Sequence, residues 1–349
     1  MQGLAGFILR RLLWLPIVLL IVSFFAFVIV RLGPGDYVDI QIGQHSDPET
    51  TARIREAEGL NEPIIPVTVD GDAPFVHVHK TNQYSVYVWN LLRHGDFGES
   101  ATIYRGVGVW EIIWPRILVS MQPGIIALVV AFTVGTTVGI FAALRQGTWL
   151  DPFAVSTFLF FQSVPILVVL PFLMLVFVVQ LGWLPAAGWE GPRVDVGPGD
   201  SVALGIFSRH IILPAIVLSL PGVAGIARLV RATTLQVLGE DYVRTARAKG
   251  LREFTVVSQH VARNSLLPLV TIVGLSLVTL LEGAFFTETI LGIPGIGRLG
   301  FQAATSRDYD LILALVLILA FAFIVANLIT DIAYTFIDPR VRYSTRRDA

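Results

Sequence analysis

The sequence predicts an all-α polytopic membrane protein with six transmembrane helices and a sizeable extracytoplasmic segment between the first and second. Three observations predict it. Of the 349 residues, 54% are hydrophobic and only 15% charged, with a mean hydropathy of +0.71. A soluble chain this apolar could not cover its surface with polar groups. Six runs, 12–30, 117–144, 153–181, 211–227, 266–287 and 311–337, are apolar over about the length a helix needs to cross a bilayer. The basic residues between the runs are also unevenly shared. Segments 1–11, 145–152, 228–265 and 338–349 hold 14 of the 25 Lys and Arg in half the length of the others. An excess of Lys and Arg marks the cytoplasmic side, so both termini are expected there.

Composition also excludes. With no cysteine there is no disulfide scaffold and no thiolate metal site. A net charge of −1 offers no bulk attraction to nucleic acid, and none is expected as a partner.

Residues 1–30 form the cytoplasmic N-terminus and first span. The run begins after Arg10 and Arg11, is longer than a signal-peptide core and lacks an Ala-x-Ala site, so it is read as uncleaved. Gly33-Pro34-Gly35 stops it. Residues 31–116 form the extracytoplasmic segment, with twelve acidic residues against seven basic. Within it, 47–59 reads as a short exposed helix with Asp47 as cap, Pro48 in its first turn and Gly59 at its close. Residues 64–79 are β-branched around Asp70-Gly71-Asp72 and suit a hairpin. Residues 84–93 suit an amphipathic helix at the membrane surface. The five-helix core spans 117–337, and 338–349 is a cytoplasmic tail. Gly135 and Gly139 are spaced for helix packing, and Pro165 and Pro171 should kink the third span. The fourth, 211–227, is marginal: it is short and contains Pro214, Pro221, Gly222 and Gly225.

The cytoplasmic segment 228–265 is too patterned for a linker. Glu240 and Asp241 open a helical run, Arg247 and Lys249 stand near its end and Gly250 follows. This is the charge order a helix dipole favours, with the usual closing residue. Tyr242, Ala246 and Val243 are expected on one face, and 253–264 is a second amphipathic stretch. A capped helix on such a loop suits docking of a soluble partner.

Catalytic motifs are weak. Lys80-Thr81 lacks the glycines of a phosphate-binding loop. Residues 295–300, GIGRLG, match a dinucleotide fingerprint literally but follow an apolar span and Pro294, so a tight turn is the better reading. None of the six histidines lies in a span, and His77 and His79 lack a third metal ligand. Polar residues within the spans are Gln122, Gln162, Glu282, Asn327 and Asp331, each suited to interhelical hydrogen bonding or to lining a pathway.

At the 228–265 loop the sequence resembles a known family. DYVRTARAKGL (241–251) followed by HVARNSLLP (260–268) is similar to the EAA loop of type I ABC importer permeases in the dipeptide/oligopeptide (peptide/nickel) branch. Arg244 stands where the Glu of the motif's name would be. RRLLWLPIVLL (10–20), VRLGPGD (30–36), FAALRQGTWLD (141–151), LGWLPAAG (181–188), LLEGAFFTETILGIPGIGRL (280–299) and NLITDIAYTFIDPRVR (327–342) follow in the family's order. Two stretches, about 66–83 and 189–205, look like insertions in external loops.

The resemblance implies the type I ABC importer fold and a non-catalytic subunit. A second homologous permease subunit would complete a pathway for di- and oligopeptides, two cytoplasmic ABC ATPase subunits would drive it, and an extracytoplasmic substrate-binding protein would deliver substrate. ATP and Mg would bind the ATPases, leaving this chain without a cofactor or metal. Asp241, Tyr242, Arg244, Ala246, Lys249 and Gly250 would form the ATPase-coupling loop. Gln122, Gln162, Glu282, Asn327 and Asp331 are the candidate pathway residues, and 66–83 would touch the binding protein. Within the class, nickel or an oligosaccharide is an alternative substrate. A different class would be a stand-alone secondary transporter or channel with Glu282 or Asp331 as a proton site. An intramembrane hydrolase would need an embedded His or metal cluster that the spans lack.

Overall fold

The computed structural model describes residues 2–32, 48–57, 61–65, 67–68, 77–78, 82–197, 200–266, 268–269 and 285–337, most of them helical. Four helical stretches are long and apolar enough to cross a bilayer: Arg10–Arg31, Val109–Leu144, Arg209–Leu238 and Tyr309–Thr330. A bent pair, Leu150–Ser163 and Ile166–Gln180, is a fifth candidate. The expected span 266–287 falls largely outside the described residues, as do Gly33-Pro34-Gly35, the Asp70-Gly71-Asp72 turn, Asp47, Gly59 and the 338–349 tail.

The elements run in chain order α1 (Gln2–Arg31), α2 (Pro48–Ala57), β1 (Val67–Thr68), β2 (His77–Val78), α3 (Gln83–His94), β3 (Glu99–Ser100), β4 (Val107–Gly108) and α4 (Val109–Leu144). They continue with α5 (Leu150–Ser163), α6 (Ile166–Met174) closed by a π-helical turn Leu175–Gln180, β5 (Arg193–Gly197), β6 (Asp200–Ala203) and α7 (Ile212–Leu238). After these come α8 (Asp241–Ala248), α9 (253–265), α10 (Phe285–Leu291), α11 (Ile296–Ser306) and α12 (Tyr309–Ile337). The chain divides into two compact units, one built mainly on 117–298 and the other on 5–116 with 299–324.

In the 117–298 unit, the stretch 211–227 belongs to a long helix, the most buried of the four candidate spans, with 56% of its apolar window inside the protein. The prolines cost it little. Pro214 sits in the first turn of α7, where its missing N–H would be unpaired anyway, and the helix runs on through Pro221. The reason the small residues are there is close packing. A Cβ added at Gly135 would lie 2.8 Å from Ile226, and one at Gly139 would lie 2.7 Å from the Ala227 carbonyl oxygen, so α4 meets α7 backbone to side chain. Around this contact Ala131, Val223, Ile226, Val230 and Leu269 form one core cluster.

The third span is kinked more sharply than two prolines require. α5 and α6 meet at 105°, and the break falls at Val164, extended at ψ 128°, immediately before Pro165. Pro165 excludes its predecessor from helical geometry, whereas Pro171 is carried inside α6. The start of α5 is fixed to α7. Arg231 Nε and Nη2 donate to the two carboxylate oxygens of Asp151 at 2.5 and 2.6 Å, and Asp151 is buried.

The stretch 189–205 carries its own structure. β5 and β6 pair antiparallel, Val194 opposite Val202, with a bulge between Asp195 and Gly197. Val202 joins Val119, Leu170, Leu213, Val217, Leu291 and Ile293 in a second core cluster. Trp189 Nε1 donates to the Ala203 carbonyl at 3.0 Å, and Gly205 leaves room for the indole, which an added Cβ would meet at 2.3 Å.

In the unit of 5–116 and 299–324, α3 follows the expected helix with one residue more at each end. Asn82 Oδ1 accepts from the Ser85 N–H at 2.8 Å, and Gly95, at φ 65°, closes the helix. Its aromatic face meets α1: Tyr84 lies edge-on to Phe24 at 5.3 Å and to Phe27 at 5.5 Å, and its hydroxyl reaches the Leu20 carbonyl at 3.0 Å. β1 and β2 pair as the hairpin reading expects, Val67 opposite Val78. Buried Asp308 gathers loop 100–103, accepting from the Ser100 hydroxyl at 2.6 Å, the Thr102 hydroxyl at 3.1 Å and the Thr102 and Ile103 amides at 3.2 Å. α4 begins at Val109, eight residues before the run chosen from hydropathy.

Candidate functional site

The 239–265 region is built to present a short helix firmly. After α7, Gly239 and Glu240 turn the chain, and Glu240 is extended at ψ 145° before α8 begins. Asp241 lies in the first turn of α8 and Arg247 in the last, each at the end where the helix dipole stabilises it. The far end is closed by paired backbone bonds: the Gly250 N–H to the Arg247 carbonyl at 2.9 Å and the Leu251 N–H to the Ala246 carbonyl at 3.4 Å. This is the Schellman arrangement, and it needs a left-handed residue, which Gly250 supplies at φ 74°.

One face of α8 is buried and the other is open. Val243 and Ala246 point inward with Val256 and Val261, and Val237 and Leu238 pack against them. The winding of α9 makes this possible. Val256–Ala262 is π-helical, so residues five apart come to the same side, as Val256 and Val261 do. Of the face expected from sequence, Ala246 and Val243 are inside, but Tyr242 is 41% exposed. The Tyr242 hydroxyl accepts from Asn264 Nδ2 at 2.9 Å, which ties α8 to the end of α9. Thr233 Oγ1 on α7 donates to the Ser265 carbonyl at 2.9 Å.

Arg247 closes the turn between the two helices, donating from Nη2 and Nε to the Glu253 carboxylate at 2.7 and 3.2 Å. That fork holds the Glu253 carboxyl below its usual range and raises Arg247. Asp241 and Arg244 are 3.6 Å apart and mostly in solvent, a pairing of little energetic weight. Arg244 and Lys249 are exposed, and beside them stand Leu251, 42% exposed, and Phe254, 82% exposed. Sequence reasoning missed Leu251 and Phe254. The signal was an apolar pair flanking Arg252 and Glu253 in a loop that otherwise reads as polar.

Among the described residues, the polar residues of the spans stand on different helices and in different surroundings. Gln122 donates from Nε2 to the Leu118 carbonyl at 3.1 Å and to the Ala203 carbonyl at 3.2 Å, bracing α4 against β6. Gln162 is exposed at the end of α5, directly before the break. Asn327 and Asp331 lie one turn apart on α12, with Asn327 half-buried. Glu282 lies outside the described residues.

A different carboxylate is the buried centre of the GIGRLG stretch. Glu288 on α10 is fully buried and accepts from the Ser120 hydroxyl at 2.5 Å and from the Gly297 and Arg298 amides at 2.8 and 3.2 Å. Ser120 in turn accepts from the Ile296 N–H at 2.8 Å. Two side chains thus satisfy three amides at the start of α11, and the stretch expected as a tight turn is this capped helix start. Gly295 is required, because an added Cβ would sit 2.3 Å from Glu288 Oε2.

Two family models match the sequence. One, the binding-protein-dependent transport system inner membrane component, covers residues 135–343, and its N-terminal companion covers 4–70. The first match takes in α7, α8, α9 and Glu288 with the start of α11.

The chain belongs to this permease family. It is a multi-pass inner-membrane subunit of a binding-protein-dependent ABC importer. Curated relatives align almost end to end. A probable peptide ABC transporter permease of Sinorhizobium fredii is 36% identical over 97% of this chain and 99% of its own length. A dipeptide transport system permease of Alkalihalophilus pseudofirmus is 35% identical over the same shares. An oligopeptide transport system permease of Haemophilus influenzae is 34% identical, also over 97% and 99%. The permease reading of the 241–251 and 260–268 motifs therefore holds at the level of family.

Proposed function

We propose that this permease forms half of a translocation pathway for di- or oligopeptides and takes its drive through α8 from a cytoplasmic ABC ATPase. The observation that carries the reading is that Tyr242, Leu251 and Phe254, with Arg244 and Lys249, are exposed on a loop whose opposite face, Val243 and Ala246, is buried. Exposed aromatic and aliphatic side chains interspersed in sequence with cations, on a seated element, suit the groove of a protein partner. The Schellman closure at Gly250 and the buried Val243–Ala246 face mean that a push on α8 moves the loop as a body. Asp241 and Gly250 set the ends of the helix, Ala246 seats it, and Tyr242, Arg244 and Lys249 meet the ATPase.

The rest of the assembly is a second homologous permease subunit, a second ATPase and an extracytoplasmic binding protein. ATP and Mg belong to the ATPases, and this subunit is non-catalytic. Both termini face the cytoplasm, in keeping with the basic residues of 228–265. Gln162 at the break, Glu282, Asn327 and Asp331 are our candidates for lining the pathway. Gln122, whose amide nitrogen is committed to backbone, contributes only its carbonyl oxygen.

The test is purification of the tagged chain from its native membrane in mild detergent, with mass spectrometry of what accompanies it. Two ATPases and a second permease are expected. A chain that elutes alone with its fold intact would sink the docking assignment. Replacing Phe254 with Asp should release the ATPases while the two permeases stay together.

A further inference from the structure

The unit of residues 5–116 and 299–324 holds a cavity of about 210 Å3 beside the end of α1, and none of the roles above uses it. Among the described residues its walls carry one cation, Arg31, and three acidic side chains, Glu62, Asp96 and Asp310. Two buried donors of cavity-lining residues, Arg31 Nε and Tyr87 Oη, have no hydrogen-bond partner among the described residues. Buried polar groups are rarely left unpaired, and two at one cavity call for a ligand that completes them. Burial first, and then the negative charge of Asp310, raise the Tyr87 pKa and keep its hydroxyl neutral and able to donate.

The position of the cavity narrows the ligand. Arg31 is the last residue of α1, a helix of spanning length, so the cavity lies at headgroup depth. α3 lines it and turns Val86, Trp89 and Leu92 outward, at 52%, 59% and 74% exposure. Arg93 lies over Trp89 at 5.3 Å, and such a ridge beside a span suits the interfacial layer of a bilayer.

We propose that this cavity binds the zwitterionic headgroup of an aminophospholipid, the phosphate meeting Arg31 and Tyr87 and the primary ammonium meeting Glu62, Asp96 and Asp310. A guanidinium and a hydroxyl are phosphate donors, and a primary ammonium has three N–H groups for carboxylates. A quaternary ammonium has none. An anionic headgroup would meet an excess of negative charge. Free phosphoethanolamine offers the same polar chemistry, but the exposed ridge on α3 favours the membrane lipid.

The experiment takes the purified permease complex, stripped of lipid in detergent, and titrates back phosphatidylethanolamine, phosphatidylcholine or phosphatidylglycerol. Thermal midpoint and native mass spectrometry are read together. Phosphatidylethanolamine should be retained and should raise the midpoint with an affinity about tenfold better than either rival, the scale of one charge-assisted hydrogen bond. Tyr87→Phe should weaken that effect several-fold while leaving the lipid-free midpoint equal or higher, because an unpaired hydroxyl has been removed. A purely structural Tyr87 would not change the lipid response. Arg31→Gln should act in the same direction. Equal effects of the three lipids, or an unchanged response in Tyr87→Phe, would overturn the proposal. Free phosphoethanolamine that competes weakly with the lipid supports the headgroup site. Full stabilisation by the free molecule overturns the lipid as its source, and displacement by a free dipeptide instead overturns the headgroup.

Discussion

Gly250 and Gly295 are glycines for opposite reasons. Gly250 has open space around it and is needed only for its left-handed backbone, whereas Gly295 is needed because Glu288 occupies the place of a side chain. Gly250→Glu should therefore cost about 1–2 kcal/mol of local strain and leave the subunit able to insert and assemble. Transport should nonetheless be lost, because the cap of α8 is undone; undiminished peptide uptake would count against the assignment of α8. Gly295→Ala should be far more damaging and should appear as a lowered thermal midpoint and poor membrane yield. The Arg247–Glu253 pair makes a prediction in pH. The Glu253 carboxyl is depressed in the folded loop, so its contribution is present above the unfolded value and fades as pH falls through the lower folded one. Both side chains are about half exposed, which limits the gain to under about 1 kcal/mol. Glu253→Gln should raise hydrogen exchange across 247–256 at neutral pH and make no difference once the carboxyl is protonated. Sequence exposed the role of Gly250 through its place after a charged helical run. It did not expose Gly295, whose constraint comes from Glu288, held in place by Ser120 far away in the chain.

At the scale of elements, the contact between α5 and α7 is the one to test. Asp151 is buried and Arg231 a third exposed, so removing either partner strands the other. Arg231→Ala or Asp151→Ala should each destabilise by about 1–3 kcal/mol, below the usual range for a fully buried pair. Removing both should cost less than the sum, which a double-mutant cycle on thermal midpoints would measure. The sequence placed Asp151 at the head of an apolar run but named no partner for it, because a pairing across 80 residues leaves no local period. Hydropathy found α7 but only as a marginal run, shorter than the helix Arg209–Leu238 that forms. Its Gly and Pro residues lower the apolar score of 211–227, yet those small residues are what let α4 approach. Composition penalised the feature that makes the helix central to its unit. The third span shows the converse: Pro165 and Pro171 looked alike in sequence, and only the first breaks the helix, because the residue before it is released into extended geometry.

On the scale of the whole molecule, class and family were legible because both rest on repeated signals: apolar runs of bilayer length and motifs spread over nearly the full chain. What was not legible needed tertiary neighbours, namely the hairpin of 193–203, the Asp308 and Glu288 clusters and the outward Phe254. Deleting 66–83 should weaken affinity for the binding protein without dissociating the ATPases, as measured by binding of the purified complex to immobilised binding protein. Unchanged affinity would remove that insertion from the contact. The break between α5 and α6 also bears on biogenesis. Neither half reaches the ~20 apolar residues that an insertion machinery accepts as a span, yet 150–180 taken together does. The segment is therefore long enough to be taken as a span only as a whole, with Pro165 already setting its two halves at an angle. Arg231, made some fifty positions after the end of the bent pair, then ties the start of α5 to α7 through Asp151, so the tie and not the bend is the late step.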